Sequence, residues 1–240
     1  MPGPLDGRVA LVTGASRGLG AATAVVLARL GAQLVITART VGGLEETDDA
    51  IRAVGGHASL VPLDFCDGAA LDRLGPSIAE RFGRLDALVA CTAVLGPLTP
   101  VGHILPDAWN EVLAVNLSAA WRLIRTTAPL LAAAPTGRAV FVTDARARAP
   151  RAYWGLYGAS KAGMEYLALT WAEETRNTRL RVNLFDPGPM ATRLRRHAMP
   201  AEDRSLLPKP EDVAPALAAL CLPEESRCGA LIGRPPSPAE

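Results

Sequence analysis

The sequence predicts one α/β domain, a doubly wound parallel sheet with helices on both faces. Three observations carry that expectation. Strand-like and helix-like segments alternate from end to end, and no internal repeat or long linker divides the 240 residues. At 25.1 kDa the chain can bury a substantial core. Its 49% hydrophobic and 20% charged residues are ordinary for a soluble globular protein.

RVALVTG reads as a buried strand, and GLGAATAVVLARLGA as a helix that Gly31 ends. QLVITAR is the second strand, followed by a helix from about Val41 to Val54 and a short strand at HASLVPLD. Asp67 can cap a helix running through Phe82, and LDALVACTA returns as a fourth strand. A long helix follows from near Pro106 to Ala134. GRAVFVTD is a strand, YGASKAGMEYLALTWAEETR a helix, and LRVNLFDPG another strand. A helical segment near Pro210 to Leu222 and a short strand at GALIG finish the domain, and residues 234–240 form a loose tail. Right-handed crossovers would keep the sheet parallel, and ligands on such sheets bind beyond the carboxyl ends of the strands.

Composition removes several function classes. A formal net charge of +1 offers no field for nucleic acid or an anionic membrane surface. No apolar run approaches a membrane span, and the opening MPGPLDGR lacks the regions of a signal peptide, so a cytoplasmic protein is expected. Cys66, Cys91, Cys221 and Cys228 show no metal-ligand spacing and are expected to be reduced thiols. His57, His103 and His197 match neither a triad nor a metal site.

The residues that carry chemistry fall mostly at predicted strand ends. LVTGASRGLG sets Gly14, Gly18 and Gly20, with Ser16, Arg17 and Leu19 between them, at the joint of the first strand and first helix. Residues without Cβ let backbone N–H groups approach a pyrophosphate, and the helix N-terminus adds partial positive charge. The second strand ends in Arg39 rather than in an acidic residue that would grip the 2′-hydroxyl of NAD. Arg17 and Arg39 suit a 2′-phosphate, so NADP(H) is expected over NAD(H); the alternative is two solvent-facing arginines. Tyr157 and Lys161 stand one helical turn apart. A phenol titrates near ~10, and a neighbouring ammonium would lower that value.

With the glycine loop, YGASK and DPGPMAT in this order, the chain resembles the short-chain dehydrogenase/reductase family from about Asp6 to Gly233. The resemblance implies a Rossmann-type domain and assigns roles. Thr13-Gly14-x-x-x-Gly18-x-Gly20 matches the cofactor fingerprint, and Asp64 the carboxylate that accepts from the adenine amine. Asn116 matches the asparagine that kinks the long helix and helps hold a proton-relay water. Tyr157 and Lys161 match the acid/base and its partner; Pro187, Gly188 and Thr192 match the segment that faces the nicotinamide.

Two places depart from the family's pattern. Cys91-Thr92-Ala93 stands where the family has Asn-Ala-Gly, so Ala93 would crowd the adenosine side or shift the loop. Asp144 occupies the position of the catalytic serine. An ionised carboxylate accepts hydrogen bonds but donates none, and it would raise the Tyr157 pKa. Three readings of it stay open: an ion pair with Lys161, Arg146, Arg148 or Arg151; a protonated acid that donates as serine would; or a partner for a cationic substrate. Thr143 would substitute for the missing hydroxyl only if the strand end is twisted.

The expected function is an NADP(H)-dependent oxidoreductase acting on a carbonyl/alcohol pair. The alternative is a catalytically impaired NADP(H)-binding protein with an interaction or regulatory role, and a structural subunit follows if Ala93 closes the adenosine pocket. The resemblance also implies a homodimer or homotetramer built on the helix around Trp109 to Ile124 and the helix after Tyr157, where Ala159, Ala162 and Gly163 allow close approach. RLRRH at 193–197 reads first as a solvated basic face and second as an attractor of acidic substrate. Trp154 is balanced between pocket lining and core packing.

Overall fold

Val9–Thr13 (β1) is buried at every position because it runs through the middle of the sheet with helices over both faces. Alternation divides its side chains: Ala10 and Val12 enter one core, Val9 and Leu11 the other. The remaining strands are β2 (Gln33–Ala38), β3 (Ala58–Pro62), β4 (Ala87–Ala90), β5 (Arg138–Val142), β6 (Arg181–Asp186) and β7 (Leu231–Gly233). They pair in parallel in the order β3-β2-β1-β4-β5-β6-β7. These elements come from a computed structural model that describes residues 3–233, so the tail expected at 234–240 lies outside the described residues.

The helices are α1 (Gly18–Arg29), α2 (Val41–Ala53), α3 (Gly68–Phe82), α4 (Pro106–Leu113), α5 (Ala119–Ala133), α6 (Gly155–Glu174), α7 (Arg193–Ala198) and α8 (Pro210–Ala219). α1, α2 and α8 bury Leu27, Ile51 and Leu217 on one face of the sheet. α3, α5 and α6 bury Leu74, Leu123 and Trp171 on the other. Asp67 caps α3 as expected, its carboxylate accepting from Ala70 N at 2.9 Å. The chain leaves β1 for β2 on one side and returns as β4 on the other, which opens a crevice between the ends of β1 and β4.

The single helix expected from Pro106 to Ala134 is interrupted. α4 stops at Leu113, Ala114–Ser118 forms a π-helical turn, and α5 resumes at Ala119. The wider turn carries Asn116 inward, where its amide pairs with the backbone of Val94 in both directions, at 2.8 and 2.9 Å. The expected fourth strand is shorter than its sequence suggested: β4 ends at Ala90, and residues 91–100 follow without regular structure.

α3 meets α5 closely. Pro76 lies inside α3 and has no N–H, so the Asp72 carbonyl one turn earlier lacks its helical donor. The Thr126 hydroxyl of α5 donates to that carbonyl at 2.9 Å and accepts from Gly75 N at 3.0 Å. Only glycine permits this approach: a Cβ at position 75 would lie 1.9 Å from the Thr126 carbonyl oxygen. Thr126→Val keeps the shape and removes the repair, so it should destabilise the fold by about 1–3 kcal/mol in urea unfolding.

Candidate active site

β1 ends at Thr13, and the chain turns through Gly14 (φ +65°) and Gly18 (φ +59°) into α1. A Cβ on Gly14 would sit 3.0 Å from the backbone of Thr92, and one on Gly20 would sit 2.5 Å from the Gly14 carbonyl oxygen. The missing side chains let the loop, the start of α1 and the segment after β4 close together. No side chain caps α1, so its first-turn N–H groups stay open toward the cleft. This bare, donor-rich cradle fits a pyrophosphate.

A cleft of about 1290 Å³ runs from this loop across the carboxyl ends of the strands. Every residue singled out above as catalytic or cofactor-binding lines it, except Thr13 and Asn116. At one end stand Ser16, Arg17, Leu19, Arg39 and Asp64. Arg17 and Arg39 are exposed, and neither makes an ion pair among the described residues. Asp64 accepts from Cys66 N at 2.9 Å through one oxygen. Ala93 lines the cleft beside Cys91 and Thr92.

α6 delivers Tyr157 and Lys161 to the middle of the cleft. They are 4% and 3% exposed. Lys161 Nζ donates to the Val142 carbonyl at 2.8 Å, tying α6 to the end of β5. Burial, then the charges of Asp144 and Asp186, push the Tyr157 phenol well above its ordinary value. Burial brings the Lys161 ammonium down to about 8, against the pull of nearby Asp144, Cys91, Glu165 and Asp186. Beneath them Asn116 donates to Ser160 Oγ at 2.9 Å, and Ser160 Oγ donates to the Tyr157 carbonyl at 2.8 Å. The Asn116 side chain is thereby fully engaged with protein groups; it fastens α6 and the segment after β4 to the π-helical turn.

Asp144 follows β5 and lines the cleft. Of the readings open for it, the ion pair is not what the structure contains: among the described residues Asp144 pairs with none of Lys161, Arg146, Arg148 or Arg151. Its Oδ1 instead accepts from Arg146 N at 2.8 Å and caps the short 3₁₀ turn Ala145–Ala147. Arg148 bonds elsewhere, to Glu165 and, at 2.6 Å, to Asp186. The Thr143 hydroxyl donates to the same Glu165, so it is already committed and does not stand in for a serine. Asp186 also accepts from Gly188 N at 3.0 Å, which fixes the turn through Pro187 and Gly188 (φ +65°). Thr192 Oγ1 caps α7 by accepting from Arg195 N at 3.2 Å.

Trp154 serves both of its expected roles. It is buried, meets the Tyr157 ring edge-on at 5.8 Å, and lines the cleft with Leu95, Leu98 and Met199. RLRRH forms most of α7, a helix not anticipated, and Arg195 within it is held by Glu202 through two bonds of 2.5 Å. Sequence reading also passed over the Glu165–Arg148–Asp186 bridge. One signal was available: Glu165 lies one helical turn beyond Lys161, and so on the same face of α6.

Comparison with known proteins agrees with this geometry. The short chain dehydrogenase family matches residues 8–203. The oxidoreductase YciK of Escherichia coli is 34% identical over 214 residues, 88% of this chain and 84% of its own. A short-chain dehydrogenase structure from Pseudomonas syringae superposes with a TM-score of 0.93 at 34% identity, covering 97% of this chain and 96% of that one. Another from Escherichia coli CFT073, complexed with NADPH, gives 0.93 at 31% identity over 98% and 100% of the two chains. A glycine cradle at the switch point, a buried Tyr157–Lys161 pair on α6 and relatives matched along nearly their whole length have one explanation: this chain belongs to the short-chain dehydrogenase/reductase family of oxidoreductases.

Proposed function

We propose that this chain is an NADP(H)-dependent carbonyl reductase with Tyr157 as its proton donor. The observation that carries the reading is the burial of Tyr157 and Lys161, one helical turn apart, at the centre of the cleft. The open first turn of α1 with Gly14, Ser16, Gly18, Leu19 and Gly20 would hold the pyrophosphate, Asp64 the adenine, and Pro187, Gly188 and Thr192 the nicotinamide end. Arg17 and Arg39 would take the 2′-phosphate, and the relative complexed with NADPH supports that choice. Bound NADPH supplies a hydride for the carbonyl carbon. Tyr157 gives its proton to the carbonyl oxygen, and the Lys161 ammonium stabilises the phenolate left behind. Self-association through α5 and α6 belongs to this reading: Trp121 is 44% and Tyr166 76% exposed.

The second reading, a dinucleotide binder with impaired carbonyl chemistry, draws on Asp144. Its charge opposes formation of the phenolate, and no neighbouring hydroxyl replaces the missing donor because Thr143 is committed to Glu165. Steady-state kinetics on a ketone panel separate the two. Asp144→Ser keeps an acceptor for Arg146 N while restoring a donor, so kcat/KM should rise about tenfold to a thousandfold. Tyr157→Phe in that background should abolish the gain. Cofactor binding without turnover in either form would establish the second reading.

Calorimetric titration should give tighter binding of NADPH than of NADH, and Arg39→Asp should narrow or invert the ratio; equal affinities for the unaltered protein would remove the 2′-phosphate assignment. The pH profile follows from Lys161. Its ammonium is charged below about 8 and neutral above, so kcat/KM for reduction should be flat at lower pH and fall as pH rises through about 8. A profile flat through that range would mean that the lysine charge plays no part.

A further inference from the structure

The half of the cleft beyond Tyr157 is apolar at its floor and cationic at its rim. Trp154, Leu95, Leu98 and Met199 surround Tyr157 in a cluster separate from the two cores of the sheet. Above them the lining includes Arg146, Arg151, Arg193, Arg195 and His197 against Asp144 and Asp186. These charges are not equally available. Arg195 is neutralised by Glu202, and Asp186 by Arg148. Arg146, Arg151 and Arg193 make no ion pair among the described residues, so three unpaired guanidinium groups share this lining with Asp144, alongside Lys209 and Glu211.

Two of those cations are held on prepared backbone next to the apolar floor. Arg146 N is fixed by the Asp144 cap, and its carbonyl lies against α6 where Gly158 leaves room; a Cβ at 158 would be 2.9 Å from that oxygen. Its guanidinium sits over the Trp154 ring, 6.0 Å from the centroid. Arg151 begins a turn closed by Trp154 N donating to the Arg151 carbonyl at 3.1 Å. That turn forces Tyr153 to φ +74°, the one non-glycine residue with positive φ among those described. A strained residue here fixes Arg151 relative to Trp154.

We propose that the carbonyl substrate is itself an acid: an apolar, planar-bodied aldehyde or ketone whose carboxylate is bound by Arg146 and Arg151 while its carbonyl reaches Tyr157. The proposal deepens the reductase reading and rests on it. Two guanidinium groups beside an aromatic floor recognise a carboxylate through charge-assisted hydrogen bonds and its carbon skeleton through stacking. A cationic substrate would have to pass three unpaired arginines to reach Asp144, whose Oδ1 is already engaged.

The test compares 4-formylbenzoate with its methyl ester, whose ester group withdraws more from the aldehyde than a carboxylate does, so a preference for the acid runs against intrinsic reactivity and reports binding. With NADPH, kcat/KM should favour the acid by about tenfold or more, mainly through KM. The acid-to-ester ratio should fall about tenfold in Arg146→Gln and in Arg151→Gln, fall with added salt, and partly recover in Arg146→Lys. A ratio near one that none of these changes moves would overturn the proposal. A binding measurement separates it from the reductase reading: 4-methylbenzoate and 4-methylbenzamide are titrated into the protein saturated with NADP⁺. Carboxylate binding about tenfold tighter than amide, lost in the double Gln variant, sustains the acid site even if neither aldehyde turns over. In that case the acid site stands and the ketone panel decides the reductase reading. Equal affinities for carboxylate and amide sink the acid site whatever the turnover.

Discussion

Glu165 is nearly buried and accepts from the Thr143 hydroxyl and the Arg148 guanidinium, while Arg148 reaches on to Asp186. This one ionic bridge joins α6, the end of β5, the loop that follows it and the end of β6. The walls of the cleft depend on it. Asp186 orients Gly188, and the loop held by Arg148 carries Asp144, Arg146 and Arg151. The Arg148 side chain is 36% exposed, so solvent screens the bridge and its net contribution to stability is small. The bridge is therefore better understood as a positioning device than as a source of stability. It makes three segments from distant parts of the chain meet at fixed places.

The same concentration of carboxylates shapes the chemistry. Asp144 and Asp186 act with burial to keep a proton on Tyr157, while burial alone draws the Lys161 pKa downward. The two shifts oppose the formation of a free phenolate. Both effects have the same largest source, the removal of α6's inward face from water beside a cluster of carboxylates.

Much of this was legible in the chain where the interacting residues are neighbours. The glycine loop occupies seven consecutive positions, and Tyr157 and Lys161 share a helix face, so strand, turn and helix patterns placed them at strand ends. The long-range partners were not legible. Thr143 finds Glu165 across 22 positions and Arg148 finds Asp186 across 38. Nothing local distinguishes Arg148 from Arg146 or Arg151, and packing of the loop on α6 decided which one reached Glu165 and Asp186. The π-helical turn was legible only through the resemblance, which implies a kink at Asn116; hydrophobic periodicity did not mark it. Its driving contact is between Asn116 and the backbone of Val94, a segment whose irregular course has no periodic signal.

Cys91 illustrates a further outcome of this arrangement. It lines the cleft at the end of β4, and burial pushes its thiol up to about 12 despite the opposing charge of Lys161. At neutral pH only about one molecule in 10⁵ would carry the thiolate, the form that reacts with electrophiles and peroxides. Here the low polarity that keeps the Tyr157 proton in place also makes the neighbouring sulfur chemically quiet.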